Sequence, residues 1–82
     1  MLVEERLKQA KKVVIGAKQT KKAIEKGEAK VVFVALDADS RVTDPVVKLA
    51  LEKEIEIVKA ATMKDLGRAC GIEVGSAAVA IV

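Results

Sequence analysis

The sequence has no histidine, tryptophan or tyrosine, and its 82 residues include one phenylalanine, one cysteine and one proline. Each shortage removes a class of function. Without histidine the chain lacks the commonest general base and the commonest zinc ligand. Phe33 is the only aromatic residue, so bases cannot be stacked on a sheet of aromatic rings, as several single-strand-binding folds do. A nucleic-acid-binding version of such a chain would read phosphates, base edges and shape. Cys70 has no partner for an intramolecular disulfide, which fits a reducing compartment. No apolar run approaches the ~18 residues of a membrane span. The start, MLVEERLKQAKK, puts acids where a secretory signal has its positive region. These features lead us to expect a cytoplasmic protein with no membrane partner.

What is present is aliphatic and charged. The chain is 51% hydrophobic, almost all of it Ala, Val, Leu and Ile, and 33% charged. That balance specifies a globular chain, and the length suits one core and one domain over residues 1–82. The net charge of +3 is unevenly spread. Residues 1–27 hold eight cations against three anions, residues 28–54 hold four against six, and residues 55–82 hold three of each. A one-sided basic third is the footprint of a polyanion-binding surface, and it also serves solubility.

Periodicity alternates between helix and strand. Residues 2–11 form a short amphipathic stretch with Leu2, Val3, Leu7 and Ala10 on one stripe. The β-branched 13–15 reads as a strand ending at Gly16, and a basic helix then runs to a C′ glycine at Gly27. KVVFVAL, residues 30–36, is a continuous apolar run typical of a strand buried on both faces. DADSRVTDP reads as a polar loop, with Asp44 as N-cap and Pro45 opening a helix to about Glu54, its buried stripe being Val46, Val47, Ala50 and Leu51. Residues 55–60 form a strand. Thr62 caps a helix carrying Met63, Leu66 and Cys70 on one face and ending at Gly71, and residues 76–82 form the last strand. The pattern predicts an α/β fold, a mostly parallel or mixed sheet covered on both faces.

Enzyme motifs are missing. There is no phosphate-loop spacing after Gly16, no G-x-G-x-x-G and no nucleophile elbow. We therefore expect no catalysis, no cofactor, no metal centre and no small-molecule substrate. Asp37 and Asp39 follow a buried strand, where α/β enzymes hold metals; capping or plain surface acids are the commoner outcome. Cys70, on an apolar stripe with no histidine to activate it, reads as an inert packed thiol.

GAKQTKKAIEKG, residues 16–27, is more informative. Lys18, Lys21 and Lys22 crowd a helix start that already carries the positive end of the dipole, with no acid before Glu25. An anionic ligand that uses both free backbone N–H groups and lysines would account for this, as would an indifferent solvated face. Gln19 adds an amide able to read base edges. In CGIEVGSA, Ile72 and Val74 either fold back onto the core, the commoner outcome, or form an exposed apolar lip.

These two segments, GAKQTKKAIEKGEAKVVFVALDAD and MKDLGRACGIEVGSAAVAIV, together resemble the kink-turn RNA-binding family of ribosomal proteins (the L-seven-Ae and L-thirty-e superfamily), and within it the bacterial YbxF-type branch. The resemblance spans essentially the whole chain. It implies a three-layer α/β/α sandwich with a mixed four-stranded sheet that binds a sharply bent RNA duplex bearing tandem sheared G·A pairs beside a bulge. A small basic module of this kind needs no partner chain to fold, so a monomer is expected. The RNA would be ribosomal RNA or a messenger RNA leader. The family's Gly-x-Asn-Glu-x-x-Lys motif falls on Gly16, Lys18, Gln19 and Lys22, with Thr20 inside it. The loop that covers bulged nucleotides falls on Ile72, Glu73 and Val74, and Asp37 matches a loop acid that orients Lys22. Lys18-Gln19 replaces the archaeal Asn-Glu, as in bacterial members. A neutral Gln19 accepts less strongly from guanine than a glutamate and also donates, so affinity leans more on Lys18 and on salt. A protein-interaction adaptor without RNA binding is the alternative that this fold also allows.

Overall fold

The structure is a computed structural model that describes residues 3–82, with side chains from Glu5 onward. Leu2 and the side chain of Val3, expected on the first apolar stripe, lie outside the described residues. Four helices and four strands alternate as α1 (Val3–Gln9), β1 (Val13–Ile15), α2 (Ala17–Glu25), β2 (Val31–Ala35), α3 (Ser40–Glu52), β3 (Glu56–Ala60), α4 (Met63–Ala69) and β4 (Ala78–Ile81). The sheet order is β1-β4-β2-β3. β2 pairs parallel with β3, while β4 runs antiparallel to both β1 and β2. The sheet is mixed, as expected.

Every residue of β2 is buried, because it lies between two strands and is covered above and below. Its alternating side chains divide the core into two halves. Val31, Phe33 and Ala35 pack with Leu7 of α1 and Leu66 and Ala69 of α4. Val32 and Val34 pack with Ile24 of α2 and Val46 and Ala50 of α3. The result is a three-layer α/β/α sandwich with α1 and α4 on one face and α2 and α3 on the other. Arg6 of α1 grips the edge strand through two bonds to the Glu56 carboxylate, at 2.7 and 3.1 Å. Its guanidinium also lies over the Phe33 ring, 5.8 Å from the centroid. The Arg6 hydrogen bonds hold the Glu56 carboxyl below its ordinary range.

The start of α3 departs from expectation. Asp44 is not its N-cap and Pro45 is not its first residue: the helix begins at Ser40, with Pro45 inside it. Asp39 supplies the cap, Oδ1 accepting from the Arg41 N–H at 2.9 Å while Oδ2 accepts from the Arg41 guanidinium at 2.8 Å. Pro45 lies in the second turn, where it leaves the Arg41 carbonyl without its i+4 donor. Burial of Thr43, Val46 and Ala50 sets the helix phase. Leu51, expected on the buried stripe, is 100° round from Ala50 and points to solvent, 64% exposed.

Three helices end in the same way. After α2 the N–H groups of Gly27 and Glu28 donate to Ile24 and Ala23; after α4 those of Gly71 and Ile72 donate to Arg68 and Gly67; after α3 those of Glu54 and Ile55 donate to Leu51 and Ala50. Each is a Schellman ending, whose C′ residue takes positive φ. Gly27 and Gly71 suit that conformation, whereas Glu54 adopts φ 56° against the preference of an L-residue. Glu54→Gly is therefore expected to raise stability by about 0.5–1 kcal/mol, read as a higher denaturant midpoint at unchanged m. A lower midpoint would show that the Glu54 side chain contributes more than its backbone strain costs.

Candidate functional site

Strand polarity gathers the expected site residues at one end of the sheet. The carboxyl ends of β1, β2 and β3 and the amino end of β4 meet there, stitched by Gly16 N–H to Ala78 O (2.9 Å), Ala35 N–H to Ala77 O (2.9 Å) and Leu36 N–H to Ala60 O (2.8 Å). Gly16, Lys18, Gln19, Lys22, Asp37, Ile72, Glu73 and Val74 all belong to segments that begin or end at this edge.

Gly16 is the N-cap of α2 with φ 105° and ψ 148°, a backbone region essentially reserved for glycine. Its carbonyl accepts from Thr20 N–H at 2.9 Å, while no side chain caps the helix and its first turn holds no acid. The first amide hydrogens of α2 thus have no intrahelical acceptor. Ala23 and Ile24 turn into the core, which fixes the helix phase and leaves Lys18, Gln19 and Lys22 exposed. Thr20 needs correction. It is 0% exposed, because it lies on the same buried stripe as Ala23 and Ile24, so it offers no surface to a ligand. Its hydroxyl Oγ1 has no hydrogen-bond partner.

The loop from Ile72 to Ala77 divides its residues. Ile72 is half-buried, whereas Glu73 and Val74 are exposed, Val74 at 72%. The loop is pinned from both sides. Ile72 N–H donates to Gly67 O (3.1 Å), Ser76 N–H donates to Met63 O (3.0 Å), and the Ser76 hydroxyl donates to Ala78 O (2.9 Å). Its backbone lies so close on α4 that a Cβ at Gly67 would overlap the Val74 carbonyl oxygen, and one at Gly75 would press on Met63. The hydrogen bond that Asp37 makes runs to the Met63 N–H, at 2.7 Å. The carboxylate thereby ties the end of β2 to the first residue of α4, which the loop also grips.

Two features of this end escaped sequence reasoning. Leu36 belongs to the apolar run of β2 and read as core, yet it lies one residue past the strand and is 63% exposed. Gly67 had a signal, an isolated glycine inside a helical pattern, but nothing in the sequence shows which backbone it admits. The remaining chemistry is sparse. Cys70 is half-buried, and that burial pushes its thiol up. Asp39 is engaged with Arg41, whose hydrogen bonds hold its carboxyl below the ordinary range. Among the described residues no three His, Cys, Asp or Glu side chains converge on a metal position, and no helix is long and apolar enough to cross a membrane.

Free amides, exposed lysines, one amide side chain and an apolar lip suit a ligand with both negative charge and apolar faces. The class is a binding module of the α/β/α sandwich type. Its family follows from comparison with known proteins. Over residues 2–82 the chain matches the model described as the ribosomal protein L7Ae/L30e/S12e/Gadd45 family, and it belongs to that family. It is 50% identical over 78 residues to a Bacillus pumilus protein named RNA-binding protein, covering 95% of both chains. With the RNA-binding protein YbxF of Geobacillus stearothermophilus the identity is 49% over 78 residues, again 95% of both. The structure is similar to that of the Giardia lamblia 15.5kD RNA binding protein, with a TM-score of 0.82 at 27% identity, covering 96% of this chain and 66% of that one.

Proposed function

We propose that the chain is a non-catalytic RNA-binding module, one domain over residues 1–82, that recognises kink-turn RNA in the cytoplasm on ribosomal or messenger RNA. The observation that carries the reading is the start of α2. An uncapped, acid-free first turn behind Gly16 presents backbone N–H groups together with exposed Lys18, Gln19 and Lys22. Helix amides and lysines hold phosphates, the Gln19 amide reads a base edge, and Val74 with its half-buried neighbour Ile72 covers an unstacked nucleotide. Family membership and relatives named for RNA binding support the same partner.

A gel-shift assay tests it. A kink-turn RNA is expected to be retarded, and the same RNA with its G·A pairs exchanged for Watson–Crick pairs is not. Equal retardation of both would reduce the interaction to charge alone. Retardation of neither would favour an adaptor role.

Two substitutions refine the site. Gln19→Ala is expected to cost about 1–3 kcal/mol of RNA binding with an unchanged melting temperature; unaltered affinity would return Gln19 to the status of a surface amide. Thr20→Val removes a buried hydroxyl without a partner and keeps the side-chain shape. It should raise stability by about 1 kcal/mol and leave RNA affinity unchanged. Loss of affinity with intact stability would restore Thr20 to the contact set.

A further inference from the structure

We infer that RNA held at the start of α2 continues onto a second surface, at the opposite end of the sheet, where Lys11, Lys12, Lys26 and Lys30 contact its backbone without reading bases. The inference rests on the RNA-binding reading above and extends it.

The sheet register places these lysines. Val13, Ile81, Val31 and Glu56 form one row across the four strands. One step outward, Val82 N–H donates to Lys12 O (3.1 Å) and Lys30 N–H donates to Ile81 O (2.7 Å). Lys12 and Lys30 therefore flank the end of β4, about 9.5 Å apart at two strand spacings. Lys26 is the C-cap of α2 and reaches the same end, since Glu28 and Ala29 fold back onto Ala23 before Lys30 starts toward β2. Lys11 adjoins Lys12 in the link from α1. All four are exposed, and none has a side-chain ion pair or hydrogen bond among the described residues.

Local structure accounts for only part of this grouping. A cation at the end of α2 complements the negative end of the helix dipole, which explains Lys26. It does not explain Lys11, Lys12 and Lys30, which come from three other positions in the chain. Glu25 and Glu28 are the acids beside Lys26, while Glu52, Glu54 and Glu56 lie on the β3 side of the row, away from Lys11 and Lys12, and Glu56 is engaged by Arg6. Unpaired like charges gathered on one edge cost stability unless a polyanion neutralises them.

A continuous path joins this surface to the first site. Lys18, Lys22 and Lys26 follow each other at intervals of four along α2, all exposed, and so make a line of cations about 6 Å apart down the helix. The far lysines extend that line across the sheet end. The four side chains are all cations, which donate to phosphate oxygens, so the contact they make is to the backbone and is independent of sequence.

The test compares two RNAs, a minimal kink-turn hairpin and the same kink-turn with both stems lengthened by one helical turn, titrated over a salt series with fluorescence anisotropy. Each phosphate contact steepens the dependence of log affinity on log salt by roughly 0.9, so the long RNA is expected to show a slope steeper by about 2 or more. The variant K11Q/K12Q/K26Q/K30Q should abolish that difference and leave the minimal RNA bound within twofold of wild type, with an unchanged melting temperature. Equal slopes for both RNAs in the wild-type protein would overturn the inference while leaving the kink-turn reading intact. So would a variant that weakens both RNAs alike. Binding of neither RNA would overturn both.

Discussion

Gly67→Ala is expected to destabilise the protein by about 3 kcal/mol, although the same change at an ordinary helix position stabilises by about 1. The sign reverses because the space a Cβ needs at Gly67 holds the Val74 carbonyl oxygen, with the Val74 carbonyl carbon and Gly75 Cα both 3.1 Å away. These atoms are backbone, and they are tethered on either side by the bonds from Ile72 to Gly67 and from Ser76 to Met63. The loop must rise as a unit or α4 must shift, and α4 is anchored in the core by Leu66 and Ala69. For a chain of this size the loss should appear as a fall in melting temperature of about 4–8 °C per kcal/mol. RNA affinity should fall with it, since the loop carries Val74. Gly27→Ala provides the control: its Cβ meets no atom within 4 Å, so only positive φ opposes it, at about 1 kcal/mol. A melting temperature that rises in Gly67→Ala would show that the loop does not rest on α4.

Gly16→Ala is the second large effect, and its cause differs. The Cβ would meet nothing within 4 Å, so the penalty is one of backbone conformation alone, about 2 kcal/mol for an L-residue held at this φ and ψ. Relaxing that strain means rotating the first turn of α2, which moves the amides and Lys18 and Gln19 away from the geometry set by the Gly16–Ala78 hydrogen bond. RNA affinity should drop tenfold or more, in addition to the loss of stability. D-alanine at the same position, introduced by chemical synthesis, adopts positive φ freely and is expected to restore both. Wild-type affinity in the L-alanine variant would show that the backbone at Gly16 does not position the site.

The two substitutions locate what was legible in the chain. The basic helix start was readable because Lys18, Gln19 and Lys22 are close in sequence and a helix converts their spacing directly into a shared face. The buried strand was readable from KVVFVAL, and the Schellman ends at Gly27 and Gly71 from their glycines. The α3 boundary was misread because Pro45 is a strong local signal for a helix start, while the packing of Thr43, Val46 and Ala50 on the sheet rewards starting the helix five residues earlier. Thr20 was misread for a related reason. Its neighbours are all polar, and only the phase fixed by Ala23 and Ile24 turns it inward.

The sequence by itself determined the alternation of helices and strands, the double-sided burial of β2 and the charge asymmetry, since each depends on residues close in the chain. The tertiary structure alone decided that α2 and the Ile72–Ala77 loop meet at one end of the sheet, that Asp37 clamps Met63, and that Gly67 admits the Val74 backbone. It also decided that Lys11, Lys12, Lys26 and Lys30 share the other end. Those relations depend on strand order and on steric exclusion between segments remote in the chain. Local periodicity carries no record of either, because the same helices and strands permit other sheet orders, and it is the packing of both core halves that selects this one.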